Sequence, residues 1–267
     1  MPNTRRAAVC LALLAALAWG EASRAESALR LELPEHFGRI PASTYDEGGE
    51  RVGNAEILIE QRSDGTVKLE VESGIEGAER TLATADLVRV ESGDALQIVS
   101  QQSQSIDAEG NPLGVLSIDH VQRIGSCTPP PGNGKSVQTL QLPTGDRIAN
   151  VPLNLLFRPV ARGDTDKLSF QIFVCRFGPR LLNAVATVAR RSESANGGSE
   201  TVEVRYELQI PGYLSSLARP FLPNVAMWFE SGASGDWLGH RMPLFSKGPT
   251  VMVVRSGKSP SSLFSAF

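Results

Sequence analysis

The sequence predicts a mainly β fold built from antiparallel strands, and three observations carry that prediction. Short stretches alternating apolar and polar residues recur along the chain, about ten to thirteen of them, at the two-residue period of a half-buried strand. Clusters of Gly, Asn, Asp and Ser separate them, as turn chemistry requires. The links are too short for the crossovers that parallel pairing needs. No repeat of fixed length emerges, which argues against a propeller or solenoid.

The first 25 residues are read apart from the fold. Arg5 and Arg6 precede an apolar run at 7–17, and Ser23-Arg24-Ala25 places small residues where signal peptidase cuts. The run is short for a membrane span, so residues 1–25 are expected to be a signal peptide cleaved after Ala25. Such a leader implies a bacterial, exported and periplasmic protein. Its removal takes the formal charge from −3 to −5. A mildly acidic chain with no basic stripe makes nucleic acid and anionic headgroups poor partners for the surface as a whole. Residues 26–256 are long enough to bury one large core unaided and are read as a single β domain, with 257–267 as a flexible tail.

The elements follow in order. Residues 29–33 alternate and read as a first strand. Residues 52–61 carry Ala55, Ile57 and Ile59 on one face, Ser63-Asp64-Gly65 turns the chain, and 67–71 returns with Val67, Leu69 and Val71 against Lys68 and Glu70. That hairpin has one dry and one wet face, as in an antiparallel sheet covered on one side. Residues 81–90 and Ala95–Ile106 pair next. The second holds Gln97, Gln101, Gln102 and Gln104, too many amides for a core strand, so an edge or wet-face position is expected. Residues 113–124 read as one long strand. The stretch 126–136, SCTPPPGNGKS, is too rich in Pro and Gly for regular structure. It is expected to join the two halves of the sheet. Its Gly134-Lys135-Ser136 ending fails as a phosphate loop, because Pro129 stands where the first glycine belongs.

In the second half, 151–157 fits either a buried strand or a short helix. Residues 168–174 form a strand with both faces partly apolar. Residues 185–189 and 202–210 pair across a turn centred on Asn196-Gly197-Gly198. The segment 211–223 (PGYLSSLARPFLP) offers a turn or two of helix as an apolar cover. Val225–Glu230, 237–245 and Thr250–Arg255 then make three short strands holding two of the three tryptophans, Trp228 and Trp237. The chain ends in Phe267, a mark of outer-membrane barrels, but Ser259–Ser262 interrupts the final strand that such a barrel requires.

The order of elements resembles that of an uncharacterised family of exported bacterial proteins. The resemblance rests on Tyr45 followed by Val52-Gly53-Asn54-Ala55, an apolar segment at 151–158 before Gly163, Trp228-Phe229, and Leu238 and Arg241 before Val253-Val254-Arg255. The fold it implies is akin to the half-barrel of the periplasmic lipoprotein carriers. That means a large, strongly curved antiparallel sheet, a half-barrel or open barrel with one or two short helices. Its concave side would bind an acyl chain or another apolar ligand. The 126–136 stretch and the cysteine pair depart from this pattern, and the family brings no catalytic residues.

Candidate sites are few. Cys127 and Cys175 remain after cleavage, and an even pair in an oxidising compartment predicts a disulfide. Closing a loop of about 50 residues contributes roughly 4 kcal/mol in the chain-entropy model. With only His36, His120 and His240 to add, no metal site and no cofactor are expected. Ser117, Asp119 and His120 offer a hydroxyl, an acid and an imidazole, the basis of a hydrolase reading. However, Asp119 and His120 are adjacent on a strand and point to opposite faces, so the protein is expected not to be an enzyme. A ligand-binding surface is expected from Trp228, Phe229, Trp237, His240 and Arg241, with Tyr213 and Leu217 from the apolar cover. Trp would supply area plus an N–H to place. The leading expectation is a non-enzymatic protein holding an apolar or acyl ligand in envelope transport or assembly. The alternative is a structural or protein-binding envelope module with a solid core.

Overall fold

The computed structural model describes residues 28–145, 147–192, 200–209, 225–244 and 248–264. Among these, fifteen strands form one sheet in which every named pair is antiparallel. The first half of the chain supplies β1 (Leu31–Glu32), β2 (Gly38–Tyr45), β3 (Arg51–Gln61), β4 (Val67–Gly74), β5 (Arg80–Arg89), β6 (Ala95–Ile106), β7 (Pro112–Asp119), β8 (Ile124–Thr128) and β9 (Gln138–Gln141). The second supplies β10 (Lys167–Val174), β11 (Arg180–Ser192), β12 (Thr201–Leu208), β13 (Val225–Glu230), β14 (Trp237–Pro243) and β15 (Thr250–Arg255).

Each half is a meander, and the last strand pairs with an early one. β15 lies beside β2, with Val253 opposite Thr44 and Val254 opposite Ser43. The sheet therefore runs from β10 through β15, then from β2 to β9, and its two ends are β9 and β10. The two halves join through β15 and β2, and the chain passes between them by way of residues 142–166. The Pro/Gly-rich stretch, expected to make that connection, only links β8 to β9. Its first residues, Ser126 to Thr128, are strand.

Alternation explains the curvature. Ala55, Ile57 and Ile59 of β3, Val67 and Leu69 of β4, Leu87 of β5, Phe170 of β10 and Val202 and Val204 of β12 belong to one buried cluster. Strands so far apart in the sheet order share a core only if the sheet curls round. The core is completed from within by residues 151–161, which cover α1 (Leu153–Leu156) and all but the last residue of α2 (Arg158–Arg162). Phe157 is fully buried there, against Phe170 and Tyr206. Burying one such side chain contributes about 1.5–3 kcal/mol. Of the two readings open for 151–157, the helical one holds. Gly163, in the left-handed region at φ 88°, ends α2.

The opposite face of the first meander is wet. Lys68 pairs with Glu70 at 2.6 Å, Arg80 with Glu72 at 3.2 Å, and Arg39 with Glu56. Such exposed pairs contribute little stability. Their position rules out the apolar outer band of a membrane barrel across β2–β5.

Several sequence expectations are corrected. Residues 113–124 are not one strand, because the chain turns at His120–Arg123 between β7 and β8. The Gln-rich β6 is not an edge. It pairs with β5 along its length, with β7 over Ser100–Ile106, and with β1 at Ala95 and Leu96. The tail expected from 257 onward includes α3 (Pro260–Phe264), whose Leu263 is buried. The apolar cover at 211–223, with Tyr213 and Leu217, lies outside the described residues, as does the leader.

Candidate functional site

The two ends of the sheet do not meet by strand pairing. They overlap, and the chemistry of the molecule concentrates in that seam. Phe173 of β10 faces away from Phe170 and Ile172, which pack into the main core. With its cross-strand partner Leu181 it joins Ile118, Cys127, Leu140 and Leu142 from the other end of the sheet. Gly125 of β8 makes the approach possible, since a Cβ there would stand 2.5 Å from the Phe173 ring. A disulfide joins Cys127 of β8 to Cys175, just past β10, with 5.6 Å between the Cα atoms. It is the pair expected from sequence.

Polar side chains clamp the segment that enters the barrel at this seam. Gln101, 2 % exposed on β6, accepts hydrogen bonds from the backbone N–H groups of Asn150 (2.7 Å) and Val151 (3.1 Å). Its amide nitrogen donates to Ile148 O at 3.1 Å and lies 2.8 Å from His120 Nε2. Since that nitrogen can only donate, His120 Nε2 is placed to accept. Asn150 makes a second clamp. Its Nδ2 donates to Phe173 O at 2.8 Å, and its Oδ1 accepts from Phe173 N at 2.9 Å. Residues 147–149 also run alongside β10, with Gln171 N donating to Arg147 O and Ala149 N to Gln171 O, each at 2.9 Å.

The far end of the inserted segment is held by arginines. Arg158 is buried and donates to Ser234 O (3.1 Å from Nε), Leu33 O (3.3 Å) and Glu35 (3.2 Å). Arg162 pairs with Asp164 and Glu32. Segment 151–162 is thus pinned at both ends and packed along its length.

The expected binding residues separate onto two faces. Phe229, Trp237 and His240 point into the barrel, where Phe229 and Trp237 belong to the main core and the His240 ring lies 5.5 Å from that of Trp237. Burial pushes the His240 imidazole down to about 4, so it is neutral at physiological pH. Burial also raises the Tyr206 phenol to about 12. Trp237 Nε1 and Asn154 Oδ1 are buried polar atoms with no hydrogen-bond partner among the described residues. Trp228 instead packs on the outer face with Ala226, Leu238, Met252, Val254 and Leu263 of α3. Arg241 is also on the outer face and pairs with Glu47 at 2.5 Å.

Ser117, Asp119 and His120 are likewise dispersed. Asp119 Oδ1 accepts from Gln122 N at 2.7 Å and shapes the β7–β8 turn, while His120 is engaged with Gln101. Among the described residues no three His, Cys, Asp or Glu side chains are grouped to hold a metal ion. One cavity of about 100 Å³ lies between Leu29, Ile98, His120 and Ile148. A second, of about 370 Å³, is a groove on the outer face of β10–β11 bounded by Ser169, Gln171, Asn183 and Arg147. Neither is lined by Trp228 or Trp237.

Sequence reasoning missed Gln101, Asn150, Arg158 and Arg162. Gln101 lay in plain view in the amide-rich run Gln97–Gln104, but nothing there set it apart from Gln102 and Gln104. The others become special only once the ends of the sheet overlap.

No family model matches the chain, and no curated protein does. Two solved structures are similar at 10% sequence identity. One is a β-barrel-like protein of the domain of unknown function DUF1849 from Brucella abortus, with a TM-score of 0.33 over 85% of this chain and 96% of that one. The other is a putative exported protein with a YmcC-like fold from Bacteroides fragilis, with a TM-score of 0.24 over 85% of this chain and 98% of that one. Cys127–Cys175 fits an oxidising, extracytoplasmic compartment.

Proposed function

We propose that the protein is a non-enzymatic periplasmic module, exported by a leader cleaved after Ala25, that serves the cell envelope through its outer surface. One observation supports this above the others. The concave face of the sheet, where an apolar ligand would sit, is packed by the chain's own residues 151–161. Native mass spectrometry of protein purified from periplasm without detergent, followed by lipid extraction, tests the reading. Bare protein is expected, and a stoichiometric acyl species would overturn it. Hydrolase action by Asp119 and His120 is tested with ester, glycoside and peptide substrates. Turnover lost in His120→Ala, with the fold intact by circular dichroism, would establish an enzyme.

A second reading keeps the apolar ligand. The observation favouring it is the pair of buried polar atoms inside the barrel that have no partner among the described residues, Trp237 Nε1 and Asn154 Oδ1, which a ligand's polar end would satisfy. Entry would require segment 151–162 to leave. A saturable blue shift of tryptophan emission on titrating a lysophospholipid, abolished in Trp237→Phe, would favour it.

A further inference from the structure

We propose that the β10–β11 hairpin, with Phe177 at its tip, docks the protein on an anionic phospholipid surface. The inference rests on the reading above, that the protein works through its exterior, and names the surface and partner.

Phe177 is 83 % exposed and sits at φ 62°, in the left-handed region that bulky side chains rarely adopt. Its exposure is not slackness. Arg180 Nη2 donates to Phe177 O at 2.6 Å, Gly178 N to Cys175 O at 3.2 Å, and Cys175 is bonded to β8. The Arg176 guanidinium lies 5.2 Å from the centre of the Phe177 ring. An aromatic is thus held out into solvent with a cation on its face and a second beside it. A Cβ on Gly178 would lie 3.7 Å from Gln138 Oε1, which places the hairpin next to the start of β9. There Val137 is 53 % exposed, and exposed Lys135 precedes it.

Charge is distributed in the same sense. Residues 46–119, spanning the end of β2 to β7, carry sixteen Asp and Glu against five Lys and Arg. Residues 120–192, spanning β8 to β11, carry ten Lys and Arg against three Asp and Glu. The modest net charge hides an uneven distribution along the chain, and of the basic stretch Arg176, Arg180 and Lys135 are exposed at or beside the hairpin. At the hairpin end the acids on neighbouring strands are Glu207, exposed on β12 opposite Val185, and, across the seam, Asp107 and Glu109 on the β6–β7 turn. The Asp107 carboxylate is occupied by Asn111 N at 2.7 Å. A docked molecule would lean toward its seam.

Lipid fits better than protein because the feature is convex. One aromatic tip with three cations offers a protein far less than the area a stable interface buries. A bilayer takes an aromatic at headgroup depth and gains from each nearby Lys or Arg.

The test is co-sedimentation of the purified mature protein with vesicles of phosphatidylglycerol mixed equally with phosphatidylcholine, against vesicles of phosphatidylcholine alone. Binding is expected only to the mixed vesicles, and weaker at high salt. The double variant Arg176→Glu/Arg180→Glu should lose at least roughly tenfold in affinity. Lys135→Glu, outside the hairpin, should lose several-fold, and so should Phe177→Ser. Arg89→Glu, an exposed charge reversal on β5, should bind like wild type. Equal partitioning to both vesicles, an undiminished Phe177→Ser, or an Arg89→Glu loss matching the double variant would overturn the proposal. Bare protein by native mass spectrometry with no vesicle binding would sink this inference alone. A resident acyl chain would sink only the reading it rests on.

Discussion

The sheet is joined to itself in two places, by different means. Between β15 and β2 the two halves of the chain meet as ordinary neighbours, with backbone groups paired in register from Tyr45 to Ala42. Between β9 and β10 the ends slide past each other, and side chains do the joining: the Phe173–Gly125 contact, the Gln101 and Asn150 clamps, and the Cys127–Cys175 bridge. A ladder spreads its energy over many similar bonds and tolerates the loss of any side chain. A seam built from single contacts concentrates energy in a few residues, so substitutions there should cost more than at the ladder.

The largest effect is expected from the bridge. Replacing both cysteines with serine should remove about 4 kcal/mol in the chain-entropy model, read as a lower urea midpoint than oxidised wild type. Thiol alkylation and intact mass should find no free thiol in the periplasmic protein. Two alkylated thiols there would dissolve the seam as described. Gln101→Leu should follow, at about 3 kcal/mol, because Asn150 N, Val151 N and Ile148 O each lose a buried partner. A loss below about 1 kcal/mol would mean the clamp is replaceable by water.

Gly125→Ala should cost less, about 1–3 kcal/mol as overpacking against Phe173. The informative version is a double-mutant cycle with Phe173→Leu, in which the second change relieves the first. Additive costs would show that the two ends do not press on each other there.

The contrast also explains what was legible. Hairpins such as β3–β4 announce themselves because alternation, turn and return lie within about twenty residues. Thr250–Arg255 and Val225–Glu230 were bounded correctly for the same reason. β2, GRIPASTY, was missed because Pro41 and the small residues Ala42, Ser43 and Thr44 hide its period, and only its partners β3 and β15 make it a strand. Separating the two tryptophans required knowing that a register shift at Trp228/Phe229 sits opposite Trp237 and Gly239. The inserted helices could not be read at all as a barrel filling, because burial of 151–161 depends on strands as distant as β1, more than a hundred residues away. The cysteine pair was legible from compartment and count alone.

The smallest effect at neutral pH, and the one that probes the ladder side of the comparison, belongs to His240. It lies opposite Val253 on β15 and Met227 on β13, with its ring inside the barrel. Burial depresses its pKa from 6.5 to about 4. Above pH 6.5 the ring is neutral in both folded and unfolded chains, so it makes no pH-dependent contribution. As pH falls below that value the unfolded chain takes up a proton that the folded one refuses, and stability is lost until the folded ring itself titrates. The loss should reach about 1 kcal/mol at pH 5.5 and about 3 kcal/mol near pH 4. Carboxylates titrate in the lower part of that window, so the measurement is the difference between wild type and His240→Leu in urea unfolding at matched pH. The two should run parallel from pH 8 to 7, and the wild type should fall away relative to the variant below pH 6. Parallel curves throughout would place His240 in contact with water, and the interior behind the β14–β15 ladder would then be open rather than packed.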